Sequence, residues 1–208
     1  MSYMDHIIAC NRHNLTDFIP FQVDGMTIGH VRPALAAEIL SHPDIFVESE
    51  GCLTFTKTLM GFEGRSLAMA RVVGDLVKSG RLPPEQGELY PIAATFSEEP
   101  LFQLDRSAIA AFGVRAFGVH VNGFIRHPDG AIDMWIARRA KDRISYPGML
   151  DNMVAGGQPI GLGLIENVIK ECAEEADIPS NLAAQARPTG AISYTHEAAD
   201  GLKPDIIF

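Results

Sequence analysis

Three glutamates, Glu171, Glu174 and Glu175, stand at i, i+3 and i+4 spacing in Lys170-Glu171-Cys172-Ala173-Glu174-Glu175-Ala176. On a helix turning by about 100° per residue they fall within an arc of about 100°, so three carboxylates share one face. Like charges at these spacings oppose one another by about 0.2–0.5 kcal/mol per pair on an isolated helix. A divalent cation reverses that sign. Mg2+ takes hard oxygen ligands, with one or two carboxylates joined by water and substrate phosphates. Upstream lies a glycine-rich loop, Gly156-Gly157-Gln158-Pro159-Ile160-Gly161-Leu162-Gly163. Glycines let backbone groups come close to a ligand or metal, and a helix start offers unpaired N–H groups to anions. The pattern predicts metal-assisted attack on a small-molecule diphosphate, with Mg2+ or Mn2+ as the ion. Glu171, Glu174, Glu175 and Gly156 are the candidate metal ligands. The same three glutamates are the catalytic candidates, one of them serving as general base on the attacking water.

The elements that must position these groups can be read from periodicity. Ile165, Val168, Ile169, Cys172 and Ala176 form a stripe rotated by roughly 120° from the acidic one, which predicts the core side of a helix. That helix runs over 163–177 and stops at Ile178-Pro179, because the residue before proline resists the α region. Ahead of it, the apolar runs 114–126 and 131–137 read as a long hairpin around His127-Pro128-Asp129-Gly130, and 153–155 as a short strand ending in Gly156-Gly157. Behind it, 191–195 and 204–208 read as paired strands around Asp200-Gly201. Strand, strand, loop, helix, strand, strand implies a mixed sheet with helices against it. Candidate substrate contacts are Gly156 and Gly157, Arg138 and Arg139, and Tyr194. The two arginines adjoin in or just after a strand, so they point to opposite faces and one can reach the site; otherwise 138–143 is a solvated stretch. Tyr194 can stack on a heteroaromatic ring. Phe117, Trp135 and Cys172 read as core, and His120 as structural.

The first hundred residues read as a small α+β module. Ile19–Val23 and Met26–Val31 flank Asp24-Gly25, a hairpin turn pair. Pro33 opens a short helix to residue 40, and a longer helix over 64–78 ends at Ser79-Gly80. A strand over 90–96 and the polar Ser97-Glu98-Glu99-Pro100 place a boundary near Leu104, giving modules over 1–104 and 105–208. The 208 residues carry 17 Lys+Arg against 26 Asp+Glu, a formal net charge of −9. That balance argues against a nucleic-acid surface or an anionic membrane as partner. Three dispersed cysteines make no disulfide framework, and no basic region leads into an apolar N-terminal stretch, so the expected location is cytoplasmic.

The stretch 156–178 resembles a Nudix box, whose family pattern is G-x5-E-x7-R-E-U-x-E-E-x-G-U with U aliphatic. Glu171, Glu174 and Glu175 take the positions of that family's metal-binding glutamates, and Gly156-Gly157 the glycine pair opening the loop. Lys170 stands where the family has Arg, Leu162 where it has its first Glu, Cys172 at the aliphatic position and Asp177 where it has Gly. The contexts 146–162 and 111–124 are similar to a Nudix branch related to thiamine pyrophosphokinases, whose variant box commonly lacks the first Glu. The resemblance implies an α/β/α sandwich for the second module and a Mg2+-dependent pyrophosphohydrolase. It also implies thiamine diphosphate or its oxidised analogues as substrates. The alternative is a non-catalytic Nudix fold that binds a diphosphate or regulates a partner. A homodimer is carried as an expectation, since Nudix proteins often pair, although no feature picks an interface. Because the chain stops in Ile206-Ile207-Phe208, an apolar run, it also reads as lacking the last part of such a fold.

Overall fold

The computed structural model describes residues 2–142 and 146–208. The chain is mixed α+β, in the order α1 (Tyr3–Cys10), β1 (Ile19–Val23), β2 (Met26–Val31), α2 (Pro33–Ile39), β3 (Phe46–Ser49), β4 (Cys52–Phe55), α3 (Phe62–Lys78), β5 (Leu89–Ile92), β6 (Phe102–Asp105), α4 (Ile109–Phe112) and β7 (Phe117–Val121). There follow β8 (Phe124–Arg126), β9 (Ile132–Met134), β10 (Ala137–Arg138), β11 (Leu150–Asp151), β12 (Val154–Gly157), α5 (Leu164–Ala176), α6 (Ser180–Ala183), β13 (Ile192–Ala198) and β14 (Gly201–Ile207). It divides into two compact units, one of residues 1–116 with 193–206, the other of 117–192 with 207–208. The division falls after Ala116, beyond the expected Leu104, because Leu104, Phe112 and Val114 are buried in the first core.

In the first unit, β1 pairs antiparallel with β2 and parallel with β4, which turns back antiparallel on β3. Asp24 and Gly25 take φ 51° and 81° in the β1–β2 turn, the left-handed pair that a two-residue hairpin needs. Arg65 of α3 ties that turn down, donating to both Asp24 carboxylate oxygens at 2.7 and 3.0 Å. The core is aromatic: Phe21, Phe46, Phe55, Phe102 and Phe112 pack with Met69, Val72 and Leu76 of α3. Phe21 is central, with ring centroids 5.4–6.1 Å from the four other phenylalanines. Leu67, which falls on the same face by periodicity, is exposed. Helix α1 buries nothing and is held by its cap, with Ser2 Oγ accepting from the Asp5 N–H and Asp5 accepting from the Ser2 N–H. Burial works against the Asp105 carboxylate, yet hydrogen bonds from Ser107, Gln86 and Gly87 keep its pKa below the usual range.

Residues 193–206 of the β13–β14 hairpin belong to this unit. Arg32 donates to Glu197 at 2.8 Å and to the Ala198 carbonyl at 3.2 Å, with its guanidinium over the Phe18 ring. The hairpin also carries Asp205. Burial pushes its carboxyl up from 3.8 to about 6, opposed by the Lys203 charge and the Tyr194 hydroxyl, which donates to it.

In the second unit β12 pairs antiparallel with β7, matching Val154 to Val121 and Gly157 to Gly118. The expected long run 114–126 is broken at Asn122-Gly123, where Gly123 accepts from the Trp135 N–H and Asn122 from Asn152. Beyond the break β8 and β9 form a short hairpin with exposed residues throughout. Trp135, read as core, is 60% exposed, whereas Phe117 is buried. The core here is small: Val154, Cys172 and Ala183, flanked by Val121, Met153, Val168 and Ile169. Phe208 closes the edge of β7, exchanging backbone hydrogen bonds with Gly118 and His120.

The raised carboxyl of Asp205 makes a stability prediction. The folded chain holds this proton up to about pH 6 and the unfolded chain only to 3.8, so the stability it contributes is present below 3.8 and lost as pH rises through 6. An Asp205→Asn variant stays neutral throughout. Its unfolding free energy relative to the parent should rise by about 2 kcal/mol between pH 4 and pH 8. Urea unfolding at the two pH values measures this, and a constant difference would refute it.

Candidate active site

Helix α5 starts at Gly163, and Glu166 in its first turn accepts from the Gly163 N–H at 2.8 Å. It ends on Asp177, which adopts φ 51° where the Nudix pattern has glycine; aspartate is among the few residues that tolerate the left-handed region. Its buried side differs from the expected stripe. Cys172 is buried with Val168 and Ile169 partly so, but Ile165 and Ala176 are exposed, and the helix turns Asn167 and Glu171 inward instead.

Those two polar residues explain the rotation. Glu171 lies against Gly156 of β12 so closely that a Cβ added there would stand 2.1 Å from the Glu171 carboxyl carbon. The end of the Glu171 side chain occupies the space a side chain at 156 would fill, and the residue is just 7% exposed. Asn167 is fully buried and donates to the Gly157 carbonyl at 2.8 Å and to Gln158 Oε1 at 3.1 Å. Gln158, also buried, donates to the Leu162 carbonyl at 2.7 Å. Two amides thus pin both ends of the loop 157–162 to the helix. Among the described residues the Asn167 Oδ1 has no hydrogen-bond partner. Sequence reasoning read neither residue as functional; the signal was a polar Asn beside the apolar stripe and a Gln between Gly157 and Pro159.

The acidic face is partly assembled. Lys170 Nζ donates to Glu171 Oε1 at 2.9 Å and to Glu174 Oε2 at 3.0 Å, so these carboxylates converge on one cation. Partial burial pulls the Lys170 pKa down, but hydrogen bonds and charge from Glu171 and Glu174 outweigh it and hold the ammonium above its ordinary value. Glu175 turns toward β12, where its Oε2 accepts from the Ala155 N–H at 3.0 Å. Among the described residues, no three His, Cys, Asp or Glu side chains are already gathered to hold a metal. The expected triple ligation by Glu171, Glu174 and Glu175 is therefore not preformed. The donor set still suits a hard divalent ion, since two of its carboxylates already share the Lys170 ammonium as a stand-in cation. Gly156 lies beside Glu171 as expected. Cys172 is no nucleophile: burial, then the charges of Glu171 and Glu175, push its thiol up.

The other expected contacts fall elsewhere. Arg139 pairs with Asp151 at 2.7 Å and Arg138 donates to the Gly148 carbonyl at 3.0 Å, so both are engaged in the β10–β11 segment. The stretch beyond them ends on Arg143, which lies outside the described residues. Tyr194 belongs to the first unit, beside His196 and bonded to Asp205, whereas the glutamates belong to the second. Sequence reasoning took His120 as structural; on β7 opposite Ala155, it feels the Glu175 and Asp151 charges, although desolvation dominates and keeps its pKa low.

Comparison with known proteins covers both halves. A family described as "Domain of unknown function (DUF4743)" matches residues 2–116. The chain belongs to this family. Over 99% of its length this DUF4743 chain is 35% identical to a protein of Arabidopsis thaliana called "Nudix hydrolase 20, chloroplastic", covering 58% of that protein. Over 92% of its length it is 35% identical to "Nudix hydrolase 24, chloroplastic" of the same plant, covering 53%. An uncharacterized protein of Saccharomyces cerevisiae is 31% identical over 52% of this chain and 32% of its own. The DUF4743 chain thus spans little more than half the length of the two plant relatives.

Two substitutions test the geometry. Gly156→Ala should displace the Glu171 carboxylate and cost about 1–3 kcal/mol of stability, as overpacking does. Asn167→Ala leaves the Gly157 carbonyl and Gln158 without their donor and should cost about 2–4 kcal/mol. Chemical unfolding of both variants checks this; an unchanged midpoint for either would show that its contact does not hold the loop.

Proposed function

We propose that this chain is a Nudix pyrophosphohydrolase that uses Mg2+ or Mn2+ to cleave a diphosphate joined to an organic moiety, with water as nucleophile. The observation that carries the reading is the pair of carboxylates, Glu171 and Glu174, already converging on a cation beside Gly156. The two relatives named as Nudix hydrolases support it from an independent side.

Glu171, Glu174 and Glu175 would hold the ion, with Gly156 beside Glu171. When bound, a divalent ion supplies charge neutralisation of the diphosphate and a lowered pKa for the attacking water. The remaining work belongs to the chain. The Gln158–Asn167 lock fixes the loop against the helix, so that its backbone groups meet the substrate in one arrangement. Glu171, buried beside Gly156, gives the face its inner carboxylate, while Glu174 is exposed enough to adjust to substrate or take a proton from water. Which carboxylate is the base is decided by the substrate pose.

For the organic moiety, the resemblance of 111–124 and 146–178 to the thiamine pyrophosphokinase-related branch puts thiamine diphosphate and its oxidised analogues first. The net charge of −9 supports a small-molecule substrate without a nucleic-acid or membrane partner. Among the described residues no helix is long and apolar enough to cross a membrane. Three free cysteines, without a disulfide between them, support a reducing compartment such as the cytoplasm. A homodimer remains part of the proposal. The second reading, a diphosphate binder without turnover, is favoured by one observation, the ammonium of Lys170 standing between two of the carboxylates.

Phosphate release from thiamine diphosphate and its oxo and oxy forms, and formation of nucleoside monophosphate and sugar phosphate from nucleotide sugars, with Mg2+ against an EDTA control, test the proposal. Metal-dependent release is expected, and Glu174→Gln should reduce it by about 100-fold or more with an unchanged melting temperature. Release that persists in EDTA overturns the metal-dependent reading, and undiminished release by the variant overturns the role of Glu174. No release from folded protein that binds Mg2+ selects the binder.

A further inference from the structure

Lys170 stands at an unusual place for a cation. Its Nζ bridges Glu171 Oε1 and Glu174 Oε2, two oxygens of the face that the proposed function assigns to a divalent ion. Glu171 lies in the space that Gly156 leaves open, with its carboxylate against β12. With its side chain only 9% exposed, its attraction to Lys170 is less screened than a surface pair. Any ion ligated by Glu171 and Glu174 must therefore take up the oxygens that the ammonium already holds, or sit within a few ångströms of that positive charge. Three carboxylates and one ammonium leave a net charge of −2 on this face, where the carboxylates alone would carry −3.

We propose that Lys170 is an internal competitor for the metal, a tethered cation that keeps the acidic face assembled and lowers its affinity for a divalent ion. The inference rests on the reading of Glu171, Glu174 and Glu175 as metal ligands and adds a control on that site. The residue type suits the task. A lysine ammonium is a compact point charge on a flexible four-carbon stem, so it can bridge two oxygens and then withdraw, whereas an arginine fork holds a carboxylate in fixed geometry. Mutual repulsion of Glu171 and Glu174 is suppressed without metal, and the folded helix does not depend on the ion. The consequence is a site of weakened affinity, loaded when metal arrives with the diphosphate that adds its own ligands.

The sign of one measurement tests this. Direct titration of the full chain with Mn2+, read by the electron paramagnetic resonance of the free ion, and with Mg2+, read calorimetrically, gives affinities without turnover. Lys170→Met should bind either ion about tenfold more tightly than the parent at low salt, with the difference shrinking as salt rises. Lys170→Arg, which keeps the charge and holds a carboxylate in a fixed fork, should bind either ion no more tightly than the parent. Lys78→Met, which removes an exposed lysine paired with Asp75, should change nothing. A second readout covers a loss of stability in Lys170→Met. In EDTA that variant should melt below the parent, and saturating Mn2+ should raise its melting temperature by more than it raises the parent's. Equal or weaker metal binding by Lys170→Met, with an equal or smaller thermal shift, overturns the proposal and leaves the metal reading intact. No binding of either ion by parent and variant alike overturns the metal reading itself, and this inference with it.

Discussion

The contact on which the site depends is a carboxylate laid against a strand that has no side chain to receive it. At Gly156 the space a Cβ would fill is taken by the Glu171 carboxyl group. That sets the rotation of α5 about its axis, because a buried carboxylate must keep its partners and cannot be traded for a better apolar fit. With Glu171 inward, Asn167 one turn earlier is buried too, while Glu174 and Glu175 face outward and sideways. The apolar content of the helix yields: Ile165 is left exposed, and the hydrophobic core of this unit remains small. The helix is placed by polar contacts first and hydrophobic ones second.

The polar contacts form a chain of dependence. Gly157 and Leu162 carbonyls accept from Asn167 and Gln158, so the loop between them cannot move without opening two buried amides. In the Nudix pattern the positions of Leu162 and Lys170 carry Glu and Arg, an ionic pair. Here an uncharged brace does the holding. A buried amide pair avoids the desolvation of two full charges and keeps its strength at high salt, which an exposed ion pair does not. Lys170, released from that role, is free to meet Glu171 and Glu174.

The legible parts of this molecule were those where local chemistry and burial agree. The β1–β2 hairpin has its observed bounds because Asp24-Gly25 demands the turn and the flanking residues alternate toward one core. Helix α5 was readable to within a residue at each end from Gly163 and Ile178-Pro179, and its three glutamates were readable as one face. What was not legible depended on partners distant in sequence. The inward turn of Glu171 needs Gly156, fifteen positions away, and nothing in a helical stripe distinguishes an Asn that locks a loop from one that faces water. Trp135 looked like core by its size, yet the break at Asn122-Gly123 puts it on a short exposed segment. Helix α1 escaped notice because it buries nothing and stands on its cap alone. The strands β3 and β4 were hidden because β3 ends in the polar Glu48-Ser49, ahead of the Glu50-Gly51 turn between them.

The two arginines and Tyr194 carry a different lesson about reading a phosphate site. Cations and aromatic rings near an acidic motif attract a functional reading, but each of these already satisfies a neighbour within its own segment: Arg139 the Asp151 carboxylate, Arg138 a loop carbonyl, Tyr194 the Asp205 carboxyl. A group so engaged reaches a ligand only by giving up a contact, and that exchange weakens binding by the strength of what is lost. The same reasoning applied to Lys170 leads the other way. Its contacts are with the residues assigned to the metal, so the exchange it must make is part of binding at the site itself.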